Sequence, residues 1–448
     1  MPGPRTVTGS RSNPTFLRVG AIVAVGAIAF LGGYLAHRQH IPWRLMNWGR
    51  SLTAQEAPER DMGVWFPDER GGDGAVDVSD ETLAQLRSIG YLSGYEKGPS
   101  GSGVRLRSAD LAFDGYNFYT SGHAPEAILM DMEGRRLHTW TQEFRDVWPD
   151  RDLGDYGTAE WWRRAYLYPN GDVLAIYDRL GLIKIDKSSN LVWSYAGNTH
   201  HDIEVMEDGR VYVLEIEELS RPELNPDGTV SDDFITVLDA EGKVLSRVSI
   251  LAAFENSSYA SLLDRLPENT SDILHTNTLE VLDGRLESRS PAFKAGNVLI
   301  SLRNLDVIAV VDMDRQTVVW ALAGMWSKQH DPGVLESGNL MLFDNLGHHG
   351  FSKVVEFDPF TQAITWAYEG GPDNDFRSPV LGANQRLPNG NTLITESTRG
   401  RAFEVTADGT MVWEFVNPER SGDEGELIAL LCEVVRLDPD FPLDWRDW

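Results

Sequence analysis

Three histidines, His201, His275 and His330, stand at matching places in three copies of a repeating unit, each shortly before a turn glycine. His201 lies eight residues before Gly209 and His330 eight before Gly338, while Asn277, two residues after His275, lies seven before Gly284. Strand residues two apart share a face, so His275 and Asn277 are expected to point the same way. His200, next to His201, is expected to turn away from it by strand alternation unless turn geometry swaps the two, and Arg303 follows the next strand of the unit that carries His275. Imidazoles act near neutral pH as nucleophiles, as general acids or bases, or as metal ligands. An amide and a guanidinium beside them suit an anion. A strand histidine taken singly is an ordinary hydrogen-bonded residue, and it is the recurrence across repeats that marks this set for chemistry.

The elements that must position these groups are themselves repeated. An aspartate, a turn and a tryptophan close successive units at Asp131 and Trp140, Asp186 and Trp193, Asp312 and Trp320, Asp358 and Trp366, and Asp408 and Trp413. A sixth unit closes on Asp239 with Ser246 in the place of the tryptophan. The tryptophans are 53, 127, 46 and 47 residues apart, and the long gap holds the sixth unit and an insertion. Apolar β-rich runs at 211–214, 298–300 and 392–394 alternate with turn signals, and long helical patterns are few. Six units of roughly 45 to 55 residues, each enough for a four-stranded sheet, predict an all-β, six-bladed β-propeller over 104–448. The innermost strands of such a fold line its axis, so the three imidazoles, Asn277 and Arg303 are expected to converge at one mouth. The recurring tryptophans read as blade packing, and Arg399 and Arg401 as ordinary loop residues.

The rest of the chain carries different signals. Residues 19–36 contain no charged side chain, with Arg5, Arg11 and Arg18 before them and Arg38, Arg44 and Arg50 after. This is near the lower length limit for a membrane-spanning helix. Tyr34 disfavours cleavage after Ala36. The expectation is an uncleaved single-pass anchor in 1–50 that holds the protein in the inner membrane, with the propeller on the periplasmic or extracytoplasmic side. Residues 51–103 read as a polar linker with a short docking helix over 79–90 and a flexible stretch over 98–103. A net charge of -28 argues against nucleic acid as a partner. The single cysteine, Cys432, allows no intrachain disulfide.

The strings 200–203 (His-His-Asp-Ile), 272–277 (Asp-Ile-Leu-His-Thr-Asn), 301–304 (Ser-Leu-Arg-Asn) and 329–331 (Gln-His-Asp), in this order, resemble the bacterial arylsulfotransferase family, and 385–394 is similar to that family's blade signature. The resemblance runs from about Val104 to Pro418. It implies sulfuryl transfer from an aryl sulfate to a phenolic acceptor, without a nucleotide donor and without a cofactor. It assigns the sulfated intermediate to His330 and the phenol proton to His275, with His201, Asn277 and Arg303 holding the sulfuryl oxygens; His200, the neighbour of His201, is a further candidate for substrate binding. A loose transition state of this kind is served by positioned positive charge and hydrogen-bond donors. Two other readings stand beside it. One is a non-catalytic, membrane-tethered propeller that acts as a binding or scaffold subunit for membrane-protein partners. The other is a metal or quinone enzyme built on the three histidines.

Overall fold

The structure, a computed structural model, describes residues 65–67, 100–151, 153, 159–225, 228–267, 271–347, 350–421 and 427–446. The expected membrane helix at 19–36 and docking helix at 79–90 lie outside the described residues, as do His348 and His349. No helix among the described residues is long and apolar enough to cross a membrane.

Six antiparallel sheets follow one another around an axis. Blades 2 to 5 are each four consecutive strands. Their innermost strands are Arg164–Leu167, Thr199–Val205, Thr276–Val281 and His330–Val334. Blade 6 starts at Ala383–Arg386 and gains a fifth, outermost strand, Gly103–Arg107, from far earlier in the chain. Blade 1 takes its innermost strand from the C-terminal part, Leu431–Leu437, which pairs with Tyr116–Ser121. The ring is therefore closed at both ends of the propeller sequence, and a closed ring leaves only short sheet edges. Within the expected linker, Trp65–Pro67 forms a strand that pairs with Leu427–Ala429.

The second strands of blades 2, 4 and 5 are almost continuously apolar because blades press on both of their faces. In Val298–Leu302, Val298, Ile300 and Leu302 pack toward blade 3, while Leu299 packs toward blade 5. Val173, Ala175 and Tyr177 likewise face blade 1, and Leu174 and Ile176 face blade 3. Six such wedges, one between each pair of neighbours, make up the core. Burying a large side chain in a wedge contributes about 1.5–3 kcal/mol.

The closing motif has a physical purpose at each end. Its aspartate caps the turn, as when Asp186 Oδ1 accepts from the Ser188 and Asn190 N–H groups and Asp239 Oδ1 from those of Glu241 and Lys243. Its tryptophan reaches the next blade. Trp140 donates its indole N–H to Gly171 O at 2.9 Å, Trp193 to Ala240 O at 3.0 Å, Trp366 to Ala407 O at 2.9 Å and Trp413 to Met132 O at 3.1 Å. The segment after blade 1 docks as well, with Leu443 and Trp445 buried in the wedge between blades 1 and 2. The insertion at 283–296 joins the far ends of Thr276–Val281 and Val298–Leu302, away from His275 and Arg303, so it does not displace the arginine.

Candidate active site

The histidines sit where three innermost strands break their register. The pairing of blade 3 slips between His200 and Ile203, that of blade 4 between Thr276 and Thr278, and that of blade 5 between His330 and Gly333. His201, His275 and Asp331 adopt left-handed backbone, with φ of 54°, 52° and 52°. Such bulges re-aim side chains, and here they overturn the simple alternation expected of the sequence. His200 does not turn away from His201. The two rings meet at 5.0 Å between centroids, with Nδ1 of one 2.7 Å from Nδ1 of the other.

His330 is buried and its tautomer is set by its neighbours. The Asn345 amide donates through Nδ2 to the carbonyls of Ser378, at 2.6 Å, and Leu381. The amide's oxygen must therefore face His330, and it lies 2.7 Å from Nδ1. Lys328 O is 3.1 Å from the same nitrogen. Two acceptors at Nδ1 place the proton there and leave Nε2 with the lone pair. Burial, then the charge of Arg303, pulls His330 well below the usual imidazole range, against a smaller opposing effect of Asn345. The ring is neutral at physiological pH.

His275 Nδ1 is 2.6 Å from Asp272 Oδ2, and Arg179 stands 3.6 Å from the same carboxylate. Burial raises the Asp272 pKa, yet the His275 ring and Arg179 outweigh it and hold the carboxyl below its usual range. The ring of His275 meets that of His201 at 4.9 Å. Arg303 is anchored beside them, because its N–H donates to His275 O at 3.1 Å and its guanidinium to Asn304 Oδ1 at 3.3 Å. Asn277 donates one amide hydrogen to Gln329 O at 2.8 Å. Burial foremost, then Arg163 and the other imidazoles, keeps His201 neutral.

A small cavity lies on the axis, lined by His201, Asn277 and His330 together with Arg163, Leu381 and Cys432. Its free volume of about 10 Å³ is room for roughly one water. His275 and His200 each pack their rings on His201 and Arg303 is bonded to His275 O, so the expected residues gather in one region, with three of them on the cavity surface. Arg164 and Asp331 also line the cavity, and Arg164 is held by Asp202 at 2.9 Å, Glu433 at 3.0 Å and Asp331 at 3.7 Å. Cys432 is no nucleophile, since burial pushes its thiol up to about 12. Arg399 and Arg401, expected as ordinary loop residues, are instead held inward beside the fully buried Glu396.

Sequence reasoning missed Asp272, Asn345 and Arg163. The spacing of Asp272 from His275 was a usable signal, whereas Asn345 and Arg163 come from other strands and meet the site only through the fold. Among the described residues no group of three or more His, Cys, Asp or Glu side chains is arranged to hold a metal ion.

Fold and site together define a six-bladed β-propeller whose axial cavity gathers neutral imidazoles and guanidinium groups. The arylsulfotransferase (ASST) family profile matches residues 165–418. This is more than half of the chain, and the chain belongs to that family. All six expected site residues fall within the match. No curated protein matches the chain. Among solved structures, similarity extends to a protein of unknown function from Bacteroides caccae, with TM-score 0.48, 10% identity and 72% of this chain and 98% of that one covered. A streptogramin B lyase gives TM-score 0.41 and 14% identity over 77% of this chain and 94% of that one. Nothing further rests on likenesses of this level.

Proposed function

We propose that the protein transfers a sulfuryl group from an aryl sulfate to a phenolic acceptor through a sulfated His330, working from an N-terminal membrane anchor on the periplasmic side. The observation that carries this reading is the Asn345-set tautomer of His330, which presents a neutral nitrogen lone pair to a cavity beside Arg303 and Arg163. In the first step Nε2 of His330 bonds to sulfur as the ester S–O bond breaks, and protonated His275 gives its proton to the departing phenolate. In the second, His275 takes the proton of the acceptor phenol, whose oxygen bonds to sulfur as the N–S bond breaks. Splitting one transfer into two is what a covalent nucleophile contributes. The second amide hydrogen of Asn277, the Arg303 guanidinium and His201 serve as donors to the sulfuryl oxygens, where charge changes during transfer. Asp272 holds the His275 ring in place through Nδ1.

The test is the intact mass of the full chain after exposure to a chromogenic aryl sulfate without acceptor. The expected result is a gain of one sulfuryl group located on His330, and loss of at least about 10³-fold in chromophore release for His330→Ala with an unchanged melting temperature. An unmodified wild-type chain, or equal release by both proteins, overturns the reading and leaves a non-catalytic, membrane-tethered binding propeller in its place.

A further inference from the structure

Arg163 and Arg164 are neighbours in sequence with opposite surroundings. Arg164 is tied to three carboxylates. Arg163 is 5% exposed and lines the axial cavity, yet its guanidinium makes no hydrogen bond or ion pair with any described residue. Only its backbone is fixed, through its N–H to Ile176 O at 2.9 Å. Asp202 and Glu433 feel its charge only from beyond bonding distance; a buried guanidinium with no bonded partner is costly, and arginine is the side chain best shaped to grip a tetrahedral oxyanion with two N–H groups. Arg163 also sits outside the matched part of the chain, one strand turn before it.

We propose that Arg163 is a second anion-binding residue of the cavity, which takes oxygens of the sulfuryl group from the side of blade 2, while Arg303 belongs to blade 4. This rests on the sulfotransferase reading for the identity of the anion but not for the binding itself. The free space now holds about one water, less than a sulfuryl group needs. Arg163 is the part of the wall that can swing aside and grip without breaking an existing bond. Cys432, Leu381 and Gly382 line the cavity too, and its one carboxylate, Asp331, is engaged by Arg164 at 3.7 Å.

The experiment uses the full-length chain, wild type and Arg163→Met, with the exposed Arg315→Gln as a charge control. Melting temperatures are recorded against sodium sulfate and against sodium chloride at matched ionic strength. Wild type and Arg315→Gln are expected to show a saturable stabilisation by sulfate beyond its general salt effect, and Arg163→Met to lack it. Without sulfate, Arg163→Met is expected to melt above wild type, because a buried guanidinium with no bonded partner is gone. With an aryl sulfate donor, kcat/KM of Arg163→Met is expected to fall by about 10²-fold or more, and Arg163→Lys to recover part of it. Retention of the sulfate shift by Arg163→Met, or a lower melting temperature in both salts with activity lost only in proportion to folded protein, overturns the proposal. A wild type that binds sulfate through Arg163 but turns over no aryl sulfate sinks the transferase reading alone.

Discussion

Blades 3, 4 and 5 differ from blades 2 and 6 at one point of the same design. In the first group the innermost strand is interrupted at or beside its histidine, and the residues at the break take left-handed backbone. In the second, Arg164–Leu167 and Ala383–Arg386 pair with their neighbours in unbroken register. Blade 1 has the break but places Cys432 in it. A non-glycine residue at positive φ costs roughly 1–2 kcal/mol, so three in one ring position are kept for a reason other than stability. The bulges turn imidazoles inward from blades 3 to 5. The regular blades supply Arg163 and the apolar wall at Leu381. Imidazoles are thus confined to one half of the cavity rim, although left-handed backbone is not, since Leu381 has φ of 58°.

The comparison breaks most sharply at Asn345, which belongs to a blade 5 loop and acts only through His330. Asn345→Leu removes the acceptor that holds the Nδ1 proton, so the ring is free to present the wrong tautomer to the cavity. A fall of about 10²- to 10⁴-fold in kcat is expected, by the logic of a misoriented catalytic imidazole. Asn345→Asp is the sharper instrument. A carboxylate there raises the His330 pKa from its depressed wild-type position, and a protonated ring has no lone pair. The acid side of the pH–rate profile should therefore move to higher pH in the variant, whereas in wild type His330 imposes no loss until pH falls below the ordinary imidazole range. Identical acid limbs would show that His330 is not the group whose neutrality matters.

The repeat, the six blades and the histidine positions were legible because each is periodic. The Asp-turn-Trp signal recurs since every blade must cap the same turn and reach the same neighbour, as the indole bonds of Trp140, Trp193, Trp366 and Trp413 show. Departures from the period were not legible. Alternation misplaced His200 because no local residue marks the left-handed turn at His201. Asn345 and Arg163 were out of reach because their importance comes from contacts across blades. Asn345 lies 15 residues from His330, and Arg163 meets its cavity partners only once the ring closes.

Asp272 offers the next largest effect and separates the two halves of the mechanism. Asp272→Asn keeps the shape beside His275 but removes the carboxylate that faces its Nδ1. A loss of about 10²-fold in kcat/KM is expected for donors with a poor leaving phenolate, which need the proton. A much smaller loss is expected for a nitrophenyl ester, whose phenolate leaves unaided. A plot of rate against leaving-group pKa reads this as a steeper slope in the variant. Equal losses across the series would make Asp272 a purely structural partner.

The smallest effect tests the frame on which the bulged blades rest. Glu280 reaches from the inner strand of blade 4 to accept the Val334 N–H of blade 5 at 2.8 Å, and Glu204 makes the same bond from blade 3 to Val281. Burial, with Glu204 adding to it, pushes Glu280 up to about 8 from an ordinary 4.5. The folded chain keeps this proton where the unfolded chain has released it, so stability falls as pH rises from about 4.5 through about 8. Glu280→Gln keeps the accepting oxygen and removes the titration. Its melting temperature should match wild type near pH 4 and exceed it by about 2–4 °C at pH 8–9. A variant less stable than wild type at the higher pH would mean that the ionised carboxylate, rather than its hydrogen-bonding oxygen, joins blade 4 to blade 5.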